Sequence, residues 1–185
     1  MDNGASSYRR FLNGDDGGVV EIIKEYRDGL IFYLTGIVGD ICTAEDLAEE
    51  TFVKLVTKKP RFREDSAFKT WLYAIGRNLA MDHIRRIARK PEIPLEDFQG
   101  LCIPDEDVMH SSIKKEQADS VRRALWQLKP EQRQVLLLIY FEGFSNREAG
   151  KIMKKTTHSI ETLVYRARLS LKALLDEEGF IYEEL

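Results

Sequence analysis

The chain has 185 residues, 43% of them hydrophobic, and its 28 Lys or Arg against 31 Asp or Glu leave a formal net charge of −3, a composition that suits one large globular domain or two small ones. No eighteen apolar residues run together and the opening MDNGASSYRRFLNGDD lacks the basic-then-apolar order of a secretory signal, so a cytoplasmic protein without stable membrane insertion is expected. Cys42 and Cys102 stand far apart with no C-x-x-C spacing, and His83, His110 and His158 are scattered, which argues against a zinc cluster or a disulfide scaffold; no metal or cofactor is expected.

Apolar residues recur at three- and four-residue steps with no persistent alternation, which predicts an all-α chain. Val20, Ile23, Tyr26, Leu30, Leu34 and Ile37 mark one long amphipathic helix that the Gly39-Asp40 turn ends. Thr43 then opens a second helix, TAEDLAEETFVKLVTKK, with Asp46 as its acidic capping partner, Leu47, Phe52, Leu55 and Val56 as its buried stripe, and Pro60 as its stop. A third helix, AFKTWLYAIGRNLAMDHIRR, completes a small bundle through Trp71, Leu72, Ile75, Leu79 and Ile84. Trp71 reads as core, whereas Tyr73 is open between core and surface.

From Ala88 to about Ser112 the periodicity fades around Pro91, Pro94, Gly100 and Pro104. It resumes in KKEQADSVRRALWQLKP, and Pro130 suits the first turn of a helix PEQRQVLLLIYFEG that Gly143 ends. Ser145 and Glu148 form a capping box for a short helix through Met153, followed by THSIETLVYRARLSLKALL with Ile160, Leu163, Val164 and Leu171 facing inward. A short capped helix, a tight turn and a longer basic helix are the layout of a helix-turn-helix. The expected organisation is therefore an N-terminal helical bundle over 1–90, a flexible acidic linker over 91–114, a C-terminal helix-turn-helix domain over 115–176 and an acidic tail over 177–185.

Charge follows this division. Residues 61–90 hold eight Lys or Arg against three acids and residues 140–175 hold seven against three, whereas 92–119 carry eight acids against two lysines and 176–185 five acids and no base. Two basic patches fit phosphate binding, and the linker and tail repel it. No glycine-rich phosphate loop, H-E-x-x-H or paired metal motif is present, so an enzyme is not expected.

Taken in order, AEDLAEETFVKLV, FKTWLYAIGRNLAMDHIRR, LKPEQRQVLLLIYFEGFSNREAGKIM and SIETLVYRARLSLKALL resemble the two-domain extracytoplasmic-function (ECF) class of bacterial RNA polymerase sigma factors, over roughly residues 18–90 and 115–175. The resemblance implies three contact surfaces. Asp46, Glu49, Glu50 and Phe52 would lie on or beneath a face that docks to the clamp helices of the largest polymerase subunit; exposed acids in early helical turns also complement the helix dipole, so an ordinary solvated face is the other reading. For the minus-ten element, a flipped base would enter the loop around Arg63, Ser66, Phe68 and Lys69, with Asn78 and Asp82 nearby and Arg77, Arg85, Arg86 and Arg89 on phosphates. For the minus-thirty-five element, Thr157, His158, Ser159, Glu161, Thr162, Tyr165 and Arg166 would face the major groove, with Lys155 and Arg168 on phosphates.

Implied partners are core RNA polymerase, including the flap of its second-largest subunit, promoter DNA and an anti-sigma factor. The chain departs from the family pattern at Lys154, where glycine is common, at Gly150, where a small Ala is usual, and at Glu161 and Leu163, where bases are frequent. Those last two departures predict an unusual or weaker minus-thirty-five contribution. The rival reading is a stand-alone helix-turn-helix regulator that binds duplex operator DNA.

Overall fold

The computed structural model describes residues 3–63, 65–89 and 112–180, with side chains in the last segment from residue 118 onward. Among these residues all regular structure is helical: α1 (Asn3–Leu12), α2 (Gly17–Val38), α3 (Ile41–Lys58), α4 (Phe68–Ala88), α5 (Ser112–Gln127), α6 (Pro130–Leu136), α7 (Asn146–Met153) and α8 (Thr157–Glu177), with a π-helical turn at Leu137–Phe141 extending α6. Most of the expected linker and the last five residues lie outside the described residues. The described part of the expected linker, from Ser112, belongs to α5, and α8 runs through Glu177 into the expected tail.

Helices α1–α4 form the N-terminal bundle. Helix α1 has no counterpart in the sequence reading, because NGASSYRRFL carries three large apolar residues, of which Leu12 is exposed, leaving only Tyr8 and Phe11, too few for a stripe. Both are nonetheless buried, and the Tyr8 hydroxyl donates to the Pro60 carbonyl at 2.7 Å. Burial pushes that hydroxyl up to about 12.

On α2 the buried stripe runs through Ile22, Tyr26, Leu30, Tyr33, Leu34 and Ile37, whereas Val20, assigned to the stripe from sequence, is 62% exposed. Helix α1 packs on the face of Gly18, where a Cβ would lie 2.2 Å from the Ser7 carbonyl oxygen, and Val20, two residues on, is left on the solvent side. Gly39, at φ +82°, ends the helix in the left-handed region and donates its N–H to the Thr35 carbonyl, a stop that glycine makes without a Cβ penalty.

Helix α3 starts at Ile41 and its N-cap is Asp40, not Thr43. The Asp40 carboxylate accepts the Thr43 N–H at 2.7 Å, and Thr43 hydrogen bonds hold it below the usual carboxylate range, so Asp46 lies too far along the helix to act as a capping partner. Leu47, Phe52 and Leu55 are buried as expected; Val56 is partly exposed, at the edge of the buried face.

In the C-terminal half, Pro130 occupies the first turn of α6, where its missing N–H has no helical partner to lose. The π turn was not foreseen. There the Glu142 N–H reaches back five residues to the Leu137 carbonyl, and Tyr140 and Phe141 are turned outward. Ser145 and Glu148 form the reciprocal capping box that opens α7. The two halves are not separate in space: α6 and the π turn pack on α2, α7 packs on α4, and their buried side chains form one continuous core.

Candidate polymerase and nucleic-acid interfaces

Helix α3 presents Asp46, Glu49 and Glu50 to solvent, and Phe52 is buried beneath them. Their turn of helix continues into Val53, 57% exposed, and Val56. The spacing of Glu49 to Val53 and Val56 already places them on one side of a helix, but an apolar residue is read by default as core, which is why sequence reasoning passed over them. Acids flanked by two exposed valines make a surface suited to a protein partner rather than to phosphate.

The loop before α4 rests on a floor of aromatic rings. Phe68 has no exposed surface, and its ring centroid lies 5.5 Å from Tyr8, 5.6 Å from Phe62 and 5.5 Å from Trp71. Phe68 is thus withdrawn from the set of residues that meet DNA: it is a floor tile, and its burial fixes where the loop can sit. Trp71 is half-buried in the same cluster and Tyr73 is fully buried. Above the floor, Arg63 is exposed and Ser66 half-buried.

Farther along α4 the surface opens. Arg85, Arg86 and Arg89 are exposed, as is Asp82, and Asn78 is half-buried. Arg85 pairs with Asp82 at 2.7 Å across one turn, a solvent-exposed bridge of small worth that a phosphate can replace. Arg86 donates to the His83 ring at 3.2 Å. Burial, and then the Arg86 charge, hold His83 below its ordinary range, so the ring is a neutral acceptor at pH 7. Lys69 and Arg77, by contrast, are engaged by the C-terminal half: Lys69 pairs with Glu142 at 2.9 Å, and Arg77, almost fully buried, donates to Gln134 at 3.3 Å. Of the ten sequence-predicted residues, Phe68 and Arg77 are thus buried and Lys69 is engaged by Glu142, whereas Arg63 in the loop and Asp82, Arg85, Arg86 and Arg89 at the rear are open.

The helix-turn-helix is built by its caps. After α7, Lys154 adopts φ +57°, ψ +45°, so the left-handed turn is made here by a residue with a Cβ, at a cost of about 1 kcal/mol. Thr156 caps α8 by accepting the Ser159 N–H, and its hydroxyl lies 2.9 Å from that of Ser159. Thr162 is half-buried and its hydroxyl donates back to the His158 carbonyl. These two hydroxyls are therefore partly spent on the helix itself.

Thr157, His158, Glu161, Tyr165, Arg166 and Arg168 are exposed on α8, with His158 and Glu161 3.9 Å apart. Lys155 pairs with Glu131 at 3.3 Å. Ile160 is buried, and Leu163, Val164 and Leu171 pack partly buried against the core, so the apolar residue at 163 serves packing rather than the groove face.

No helix among the described residues is long and apolar enough to cross a membrane, and no group of three or more potential metal ligands occurs among them.

The family model for Sigma-70 region 2 matches residues 22–90, and that for Sigma-70, region 4 matches residues 118–171. The ECF RNA polymerase sigma factor BldN of Streptomyces coelicolor is 30% identical over 171 residues, which span 90% of this chain and 63% of that protein. The RNA polymerase sigma-H factor of Pseudomonas aeruginosa is 29% identical over 174 residues, 90% of each chain. Among solved structures, the sigma factor RpoE in complex with the anti-sigma factor NepR from Bartonella quintana shares 26% identity and a TM-score of 0.64, over 84% of this chain and 97% of that one.

Proposed function

The chain belongs to the ECF sigma factors of RNA polymerase, and from that premise we propose that it binds core polymerase, directs it to particular promoters and helps separate the strands at the minus-ten element. It performs no catalytic step of its own and works in the cytoplasm. The observation that carries this reading is the presence, on one chain, of a basic helix seated on an aromatic floor and a capped helix-turn-helix with an exposed face. One half has the chemistry for unstacked bases, the other for paired ones.

The acidic face of α3 docks to the clamp helices of the largest subunit, and Val53 and Val56 extend that contact. Single-stranded minus-ten DNA lies over the loop at Arg63 and Ser66 and along α4, where Asn78 faces a base and Arg85, Arg86 and Arg89 hold phosphates. Helix α8 enters the major groove of the minus-thirty-five element with Thr157, His158, Glu161, Tyr165 and Arg166, while Lys155 and Arg168 bind the backbone. Each DNA surface alone is weak. Polymerase, holding both through its clamp and flap, raises the effective concentration of the second contact once the first is made. An anti-sigma factor that covers these faces keeps the protein inactive, a role supported by the anti-sigma complex of the Bartonella relative.

Run-off transcription with core polymerase on a pool of genomic fragments tests the proposal, with mapped start sites expected to share upstream elements at a fixed spacing. A protein that binds duplex fragments tightly and specifically without polymerase, and gives no run-off product with it, is a stand-alone regulator instead.

A further inference from the structure

The exposed face of α8 carries one residue that neither packing nor helix formation explains. Between Thr157 and Leu175 the chain holds His158, Arg166, Arg168 and Lys172 but a single acid, Glu161. An acid at the start of a helix often serves the helix dipole, but that effect fades beyond the first turn, and Glu161 follows the N-cap Thr156 by five residues, into the second turn. Nor is it held in the core, since its side chain is 54% exposed. A carboxylate on a helix that approaches phosphates weakens their attraction, so its presence needs another ground.

Its neighbours leave it available. The Ser159 hydroxyl lies 2.9 Å from that of Thr156, and the Thr162 hydroxyl donates to the His158 carbonyl at 3.1 Å, so both are used within the helix. The Glu161 carboxylate has no hydrogen-bond partner among the described residues; His158 Nδ1, one turn back, stands 3.9 Å away, a solvent-exposed pair of small worth. Thr157 and Tyr165, exposed one turn to either side, share its side of the helix. The start of α8 is meanwhile fixed by the Thr156 cap and by Lys155, which pairs with Glu131 of α6 at 3.3 Å. A recognition helix aimed in this way puts the residues of its N-terminal turns against base edges.

We propose that Glu161 is a specificity-determining residue for the upstream promoter element and that it reads a cytosine. A carboxylate only accepts hydrogen bonds. In the major groove cytosine offers its N4 amino group, whereas guanine offers two acceptors, N7 and O6, and thymine an acceptor, O4, beside its methyl group. Adenine has an amino group too, but the N7 acceptor next to it repels the second carboxylate oxygen. Cytosine alone donates without repelling. The residue thus works as much by rejection as by attraction, which accounts for an acid on a surface that has to meet DNA. This role rests on the minus-thirty-five reading of α8, to which it adds the base that this chain selects.

Holoenzyme reconstituted from the full-length protein and core polymerase tests this on promoter fragments randomised across the upstream element, with the retained fragments sequenced and run-off transcription measured on them. The wild type should enrich cytosine about tenfold at one position. Glu161→Gln, whose amide both donates and accepts, should move that position to adenine, read through N6 and N7, and Glu161→Ala should leave it without preference. All other positions should keep their bases in the three proteins, which shows that the variants fold and dock. Identical preferences at every position in the wild type and Glu161→Ala would overturn the proposal while run-off transcription upholds the sigma factor. A wild-type holoenzyme that enriches no upstream element would instead remove the minus-thirty-five reading itself, and the role of Glu161 with it.

Discussion

Helices α4 and α8 are of equal length, 21 residues each, and both are proposed to meet DNA, yet they are built in opposite ways. Helix α4 buries Phe68, Leu72, Tyr73 and Arg77 and leaves only its last two turns free, whereas α8 buries few residues and presents one face to solvent from Thr157 to Arg168. A surface that receives a base pulled out of the stack needs a rigid bed, since any give in the bed would spend the binding energy on reordering the protein. A helix that reads a duplex needs only to be capped and aimed. Substitutions in α4 should therefore be felt first as lost folding, and substitutions in α8 as lost recognition.

The sharpest way to break that contrast is Phe68→Ala against Tyr165→Ala. The first empties a fully buried site and should destabilise the protein by about 3–5 kcal/mol in chemical denaturation; the second, at a residue 65% exposed, should change stability by no more than about 0.5 kcal/mol. Equal losses would mean that α4 has no special bed. Next in size, Arg85→Ala with Arg86→Ala should cut open-complex formation, read by permanganate reactivity, about tenfold or more, and should lower the salt slope of promoter binding by about 2. Binding to core polymerase should barely move, and equal loss of both would remove the arginines from the minus-ten site.

Much of this contrast is legible in the amino-acid sequence, and the illegible part has a common cause. Caps and stops such as Ser145 with Glu148, Pro130 and Gly39 are local events, written in adjacent residues, and they can be read directly. What escapes is decided by which face meets which. Helix α1 lacks a stripe because it needs only two aromatic anchors once α2 is present. Phe68 and Arg77 look like surface residues of a basic helix until the rest of the bundle and the C-terminal half are laid over them. Gly29 and Gly36 are unremarkable in one dimension, since the side chains that take the place of their missing Cβ atoms, Tyr73 and Glu142 at Gly29 and Leu137 at Gly36, come from distant parts of the chain.

Smaller effects sharpen the reading of the C-terminal half. Ser145→Ala removes the capping box of α7 and should cost about 1 kcal/mol, measurable as a lowered midpoint of thermal unfolding. Acid should act in the same direction. Burial pushes Glu148 up, but its bonds from the Ser145 side chain and backbone and from Thr70 outweigh this and leave it below its ordinary 4.5. A carboxylate depressed in the folded state stabilises it above that value, and the contribution is lost as pH falls through the depressed one, so the wild-type and Ser145→Ala stabilities should converge on acidification from pH 6 to pH 3. Smallest of all, Glu161→Lys, which replaces an acid on the exposed face of α8, should tighten duplex binding and steepen its salt slope by about 1. No change there would mean that position 161 stays away from the backbone.

Gly150 sits where α7 passes under the turn, and a Cβ there would come 2.8 Å from the Lys155 carbonyl oxygen, part of the main chain and unable to swing aside. Alanine would gain about 1 kcal/mol of helix propensity and would also drive a wedge beneath the entry to α8. A single missing methyl group thus lets the chain fold back closely enough for the Lys155 carbonyl to lie against α7, and any side chain at position 150 would have to push the start of α8 outward.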